Sequence, residues 1–208
     1  MARRTVNPYQ CPKAGAPDAA RMPHTCQYFK QGVNFMNLRF AALAVAVASL
    51  AGCAAFSSSG PSATAKLEST RGNTTTGTVT FTQTGETVKV VGEVRGLKPN
   101  AEHGFHVHEK GDCSSGDGMS TGGHFNPGGK PHGSHGGAEH HTGDLPSLKA
   151  DAGGVARINF ESRSIRVGSS ANDIVGKGLI VHRDPDDYTT QPTGNAGPRL
   201  ACAVITAK

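Results

Sequence analysis

A chain of 208 residues with 28 Gly, no Trp and a formal charge of +5 has room for one ordinary domain and additional segments. The positive charge would suit a nucleic-acid binder, but its distribution excludes that class. Residues 1–52 carry six Lys or Arg against one Asp, whereas residues 53–208 carry fifteen charges of each sign. The excess belongs to a leader, the rest of the chain is neutral, and no nucleic-acid partner is expected.

Residues 1–35 contain four Pro and two Cys, Cys11 and Cys26, and no hydrophobic period. They read as a non-translated or disordered extension, with translation beginning at Met36. Arg3-Arg4 is a twin-arginine pair with no apolar run close behind it. From Met36 a different pattern starts. Met36-Asn-Leu-Arg39 is a short basic start, and Phe40–Gly52 is an apolar run too short to span a bilayer. It ends in Leu50-Ala-Gly-Cys53, which resembles the bacterial lipoprotein signal. Residues 36–52 are therefore expected to be a signal peptide and Cys53 the lipidated first residue. The protein would be exported to the periplasm or cell envelope and touch membrane only through that anchor. Residues 53–64, rich in Ala and Ser, read as a flexible tether.

Cysteine usage agrees with export. The chain has five Cys. With the leader gone and Cys53 lipidated, Cys113 and Cys202 remain as an even pair, which in an oxidising compartment implies a disulfide. Closing a loop of about 90 residues would add about 4–5 kcal/mol on the loop-entropy model.

From residue 64 apolar and polar residues alternate. Ala65 and Leu67 share a face, as do Val79 with Phe81, and Val88 with Val90 and Val94. Thr84-Gly-Glu is a short turn, so the runs on either side of it read as a hairpin. Gly104–Glu109, Val155–Glu161 (after the turn Asp151-Ala-Gly-Gly154), Lys177–Arg183 and Arg199–Thr206 complete the strands. Seven or eight short strands and no helix predict an all-β antiparallel sandwich or flattened barrel. Two long stretches, 110–143 and 183–198, lack strand character, and loops of that length in a small domain are usually functional.

Nine of the ten histidines lie between residues 103 and 182, in or beside these two stretches. Their spacing is varied, which suits ligands gathered by a fold better than a tract that binds metal without one. His106 and His108 stand at i and i+2 on a predicted strand and share a face, with Phe105 and Val107 opposite. His103 has the other parity and reads as a structural histidine bonded to backbone.

The segments Gly104-Phe-His-Val-His-Glu109, Gly123-His-Phe-Asn-Pro127, His141-Thr-Gly-Asp-Leu145, Leu179-Ile-Val-His182 and Gly194-Asn-Ala-Gly-Pro-Arg-Leu-Ala-Cys202 occur in one order over most of residues 64–208. Together they resemble the copper/zinc superoxide dismutases. The resemblance implies an eight-stranded Greek-key barrel, copper and zinc as cofactors in adjacent sites, and superoxide as substrate. It implies copper ligands at His106, His108, His124 and His182, and zinc ligands at His124, His132, His141 and Asp144, with His124 bridging. It further implies an intrachain disulfide Cys113–Cys202, an anion-guiding Arg199, and a carboxylate at Asp186 that links the two sites from behind the ligands.

Elementary chemistry suits these roles. Redox-active copper favours nitrogen donors, and three histidines with one aspartate close a four-coordinate zinc. A bridging imidazolate can accept a proton when copper is reduced and return it to the product. The guanidinium fork of Arg199 can hold an anion. Asp186 can fix the tautomers of ligand histidines. A closed zinc set argues against a zinc hydrolase. A non-catalytic copper- and zinc-binding protein on the same scaffold is the alternative, and the presence of both His124 and Arg199 favours the enzyme. His135 and His140 are surplus and read as solvated loop histidines, with assistance in metal capture as the sharper reading. Asp184 and Asp187 read as solvated or capping residues. The 183–198 loop carries Pro192 before Thr193-Gly-Asn where animal relatives carry charge, and the source of long-range substrate attraction is open. Oligomeric state is equally open, a homodimer included.

Overall fold

Alternating side chains build strands that pack one face inward, and the observed elements follow that pattern. The structure is a computed structural model that describes residues 60–208 apart from Ser169. The leader, Cys11, Cys26 and the expected lipidation site Cys53 lie outside the described residues. The strands are β1 (Ser62–Ser69), β2 (Thr76–Thr84), β3 (Thr87–Arg95), β4 (Glu102–His103), β5 (Phe105–His108), β6 (Leu148–Lys149), β7 (Ala156–Ser162), β8 (Gly178–His182), β9 (Arg199–Val204) and β10 (Thr206–Ala207). Strand β1 takes in Ser62–Thr64, the last residues of the stretch read as a tether.

Eight strands form one antiparallel sheet in the order β5-β8-β9-β1-β2-β3-β7, with β10 also on β1. The sheet curls into a half-barrel. The jump from β3 near one end of this order to β5 at the other is a Greek-key connection. The β2–β3 hairpin pairs Thr84 with Thr87 around Gly85-Glu86, where the sequence places a turn. Inward-facing Leu67, Val79, Phe81, Val88, Val90, Phe105, Val107, Leu179 and Val181 are at most 1 % exposed. Burying a side chain the size of Phe81 or Phe105 contributes about 2–3 kcal/mol.

Three features depart from the sequence expectation. The strand predicted over Arg199–Thr206 breaks at Ile205, whose backbone N–H and C=O pair with Lys177 and Gly176 instead of with β1. The strand predicted from Gly104 is preceded by β4, which turns aside to pair with β6 as a separate two-stranded ribbon. Ile165, Val167 and Ile174, from an irregular segment, join the core. Two-residue pairings and isolated apolar residues are too short to carry a periodic signal.

The two long loops cover the outer face of β5, β8 and β9. Ile180 and Cys202 point away from the main core yet are 0 % and 5 % exposed. The Cys113–Cys202 disulfide, with Cα atoms 6.0 Å apart, ties the first loop to β9 over this face.

Candidate metal centre

Strand β5 sets the position of the centre. Its period of two turns Phe105 and Val107 into the core and His106 and His108 to the other side, where all four are buried. One edge of β5 pairs with β8, bringing His182 alongside. The other edge recruits loop backbone. Val107 donates to the Gly143 carbonyl (2.9 Å), Phe125 to Val107 (2.8 Å) and Gly143 to Phe125 (2.8 Å). These contacts seat Asp144 beside His106 and His124 beside His108. They require glycine at 143, because a Cβ there would stand 2.2 Å from the Val107 carbonyl oxygen. The Gly of His141-Thr-Gly-Asp144 is thus a close-approach residue.

Two donor groups converge, and His124 belongs to both. His106, His108, His124 and His182 form one; His124, His132, His141 and Asp144 form the other. In each group the candidate atoms lie within 4.8 Å of one another. All these residues are buried. The structure therefore brings together every metal ligand expected from the sequence.

The hydrogen bonds of the first group leave the right atoms over. His106 Nε2 meets Asp186 Oδ2 at 2.8 Å, His108 Nδ1 meets the Gly122 carbonyl at 2.9 Å, and His182 Nδ1 meets the Gly197 carbonyl at 3.0 Å. The opposite nitrogens, His106 Nδ1, His108 Nε2, His182 Nε2 and His124 Nε2, are buried without a hydrogen-bond partner. Buried polar atoms are rarely left unpaired unless something takes them up. Four orphaned imidazole nitrogens around one point fit a nitrogen-favouring transition metal such as copper.

The second group is tighter. Asp144 Oδ1 is 2.9 Å from His124 Nδ1, 3.1 Å from His132 Nδ1 and 3.5 Å from His141 Nδ1. His141 Nδ1 and His124 Nδ1 are 3.3 Å apart. Four donors around a tetrahedral zinc are spaced about 3.3–3.6 Å, so the residues fit that ion. Backbone N–H groups of Gly133 (3.1 Å) and His141 (2.8 Å) hold Asp144 Oδ2, which leaves Oδ1 to face the histidines.

Asp186 joins the groups. Its Oδ1 accepts from His132 Nε2 and its Oδ2 from His106 Nε2, both at 2.8 Å. A Cβ at residue 194 would lie 1.8 Å from Oδ1, and Gly194 has φ of +66°. The carboxylate thus needs a glycine above it.

Electrostatics follow burial and these partners. Burial is the first cause that keeps His182 (down to about 3) and His124 (down to about 4) neutral, and it holds His108 well below its ordinary value. His132 behaves oppositely. Burial pulls it down, but Asp144 and Asp186 outweigh burial and raise it to about 9. Burial would raise both carboxyls, yet their histidine partners prevail. Asp186 is lowered to about 2, and Asp144 is lowered further by His124, His132 and His141.

Arg199 opens β9 and reaches the rim of the first group. Nη1 donates to the Gly118 carbonyl and to Thr121 Oγ1 (2.9 Å), and Nη2 donates to the Gly122 carbonyl (2.7 Å). Of the five N–H bonds of a guanidinium, one on Nη2 and that on Nε are left to receive an anion. Burial lowers its pKa from the ordinary value, and at any physiological pH it is a cation.

His103 stands outside both groups and bonds the His182 carbonyl through Nδ1 at 3.0 Å, the structural role expected of it. His135 and His140 are half-buried instead of freely solvated. Their Nδ1 atoms bond the carbonyls of Asp144 (3.0 Å) and His141 (2.7 Å), behind two members of the zinc-like group. Asp187 caps the turn at Thr189 and Thr190, and Asp184 pairs with Arg183. Sequence reasoning missed Gln191, whose amide brackets His132 by accepting from its N–H (2.9 Å) and donating to its C=O (3.0 Å). It also missed Thr121. A lone Gln or Thr in a polar loop gives no signal of such a role.

Comparison with known proteins agrees with this geometry. The family model described as copper/zinc superoxide dismutase matches residues 75–205. A relative named Superoxide dismutase [Cu-Zn], from Paramecium bursaria Chlorella virus 1, is 42 % identical over 135 residues, covering 62 % of this chain and 71 % of the relative. The crystal structure of the clock protein EA4 superposes with a TM-score of 0.65 at 40 % identity, covering 74 % of this chain and 99 % of that one. Two buried donor groups sharing one histidine, on a sheet that matches these relatives, lead to one conclusion: the chain belongs to the copper/zinc superoxide dismutase family.

Proposed function

We propose that His106, His108, His124 and His182 hold copper, that His124, His132, His141 and Asp144 hold zinc, and that Arg199 receives superoxide. The observation that carries this reading is the His124 ring, with Nε2 in the all-nitrogen group and Nδ1 in the group completed by Asp144. The reaction converts two superoxide anions and two protons into oxygen and hydrogen peroxide. Copper when bound supplies the one-electron couple, and zinc supplies fixed charge that orders the loop.

The chain's own residues do the rest. Arg199 offers two N–H bonds to the anion and neutralises its charge. His124 carries a proton at Nε2 in one half of the cycle and yields it to the reduced product in the other. Burial keeps the spare charge off His182 and His108, so these rings act as neutral donors. Asp186 fixes the orientation of His106 and His132. The test is reconstitution of the full chain with copper and zinc. One ion of each per chain and superoxide decay near about 10⁸–10⁹ M⁻¹s⁻¹ are expected. Activity that survives complete removal of copper overturns the reading.

For the leader, the order of basic start, apolar run and Leu50-Ala-Gly-Cys53 supports export and a lipid anchor on Cys53. The Cys113–Cys202 disulfide supports an oxidising compartment, the periplasm or cell envelope.

A further inference from the structure

We propose that Thr121 is a positioning residue that sets the guanidinium of Arg199 for anion binding and couples it to His108. This rests on the anion-guiding role of Arg199 proposed above. Thr121 ends a single 3-10 turn, Met119–Thr121, in an otherwise irregular loop, and it is 0 % exposed. Its one hydroxyl proton goes to the Gly118 carbonyl at 2.9 Å. Its lone pairs therefore face the neighbours as acceptors. One receives Arg199 Nη1–H at 2.9 Å. The oxygen also lies 3.2 Å from His108 Nδ1, whose shorter bond is to the Gly122 carbonyl at 2.9 Å.

Among the described residues, Thr121 is the one side chain that accepts from the Arg199 guanidinium, the other acceptors being the backbone carbonyls of Gly118 and Gly122. The hydroxyl is the third point that fixes the plane of the fork. Two carbonyl contacts alone leave it able to tilt, and tilt misdirects the two N–H bonds left for the anion. The threonine methyl sets the hydroxyl's direction. A Cβ at Gly178 of β8 would come within 2.8 Å of Thr121 Cγ2, so the methyl sits against bare backbone there. Branching at Cβ restricts χ1, and packing of the methyl here favours the rotamer that aims the hydroxyl at Arg199. Neighbouring Ser120 is engaged elsewhere, donating to the Asp112 carbonyl at 2.6 Å.

The test compares wild type, Thr121→Val, which keeps the shape and removes the acceptor, and Thr121→Ser, which keeps the acceptor. Three quantities are read: kcat/KM for superoxide, azide affinity of the copper- and zinc-loaded enzyme, and the guanidinium ¹⁵N–¹H spectrum of Arg199 in metal-free protein. Thr121→Val is expected to lower kcat/KM and azide affinity each about threefold, with metal content unchanged. Its Arg199 Nη resonances should merge by rotation, while those of wild type stay separate and those of Thr121→Ser, which keeps the acceptor but loses the methyl, fall between. Should Thr121→Val fail to fold or to retain copper, Thr121→Ala and the metal-free spectrum carry the same expectation. The proposal is overturned if Thr121→Val matches wild type, or if Thr121→Ser falls as far as Thr121→Val. Arg199→Lys, run alongside, separates the two ideas. If it too is unchanged, the anion-guiding role itself fails; if it alone is impaired, only the role of Thr121 fails.

Discussion

Arg199 and His108 share one acceptor: the carbonyl of Gly122 takes Nη2–H of the first at 2.7 Å and Nδ1–H of the second at 2.9 Å. The residue expected to hold the anion and a residue expected to hold copper are thereby fixed to the same peptide. The disulfide fastens this loop to β9 near Arg199, and so ties both to the sheet.

Arg199 supplies no donor atom to either metal group. Arg199→Lys and Arg199→Glu should both retain copper and zinc. Removing superoxide should slow in both, and more with Glu, because a carboxylate repels the anion as well as failing to bind it. Pulse radiolysis of the loaded proteins checks this, and equal rates for all three would remove the anion-guiding role.

Asp186 holds one ring from each group, so its loss should be felt twice. Asp186→Asn is expected to weaken copper and zinc binding together, by about 10- to 100-fold each. Competition with chelators of known affinity reads both constants. An effect confined to a single metal would contradict the bridging role.

Asp144 serves one group only. Asp144→Ala should weaken zinc by at least about a hundredfold and copper far less, and should lower Tm in the presence of zinc, because metal affinity is folding free energy. His182→Ala should do the converse, losing copper and activity while retaining zinc. Metal analysis with calorimetry distinguishes the two patterns.

The raised pKa of His132, about 9 against 6.5 for the free side chain, has a defined sign. In metal-free protein its protonated form favours folding fully below about pH 6.5, and that contribution is lost as pH rises through about 9. Zinc must displace that proton from Nδ1. Zinc affinity should therefore rise about tenfold per pH unit up to about pH 9 from this group alone. Titrations at three pH values, in buffers of different ionisation enthalpy, measure the proton released. A flat affinity with no proton release would refute the assignment.

The lipid anchor is tested at the membrane. Mass spectrometry of the native protein should find Cys53 as a lipidated N-terminus. Unmodified Cys53 in a soluble mature protein, or a peptide from residues 1–35, would rule it out.

Much of the fold is legible in alternation. Val79 with Phe81, Val88 with Val90, and Phe105 with Val107 face inward as their parity requires, because a strand turns alternate side chains to opposite faces. The same parity places His106 and His108 together. The ligands from the loops were legible only through the resemblance of their motifs, since irregular backbone has no period from which to compute direction. Gln191 and Thr121 left no trace in the sequence, because a single polar side chain acts through a partner far along the chain.

The all-β class, the paired cysteines and the donor types depend on residue chemistry and a local period of two, and they can be read along the chain. Which nitrogen of each histidine remains over, which carbonyl Arg199 and His108 share, and the reach of Asp186 to both groups emerge only once the chain is folded. Those are relations between atoms on segments up to 80 positions apart, as for His106 and Asp186. They are set by how the two loops fold back over β5, β8 and β9, and no local rule of sequence fixes that.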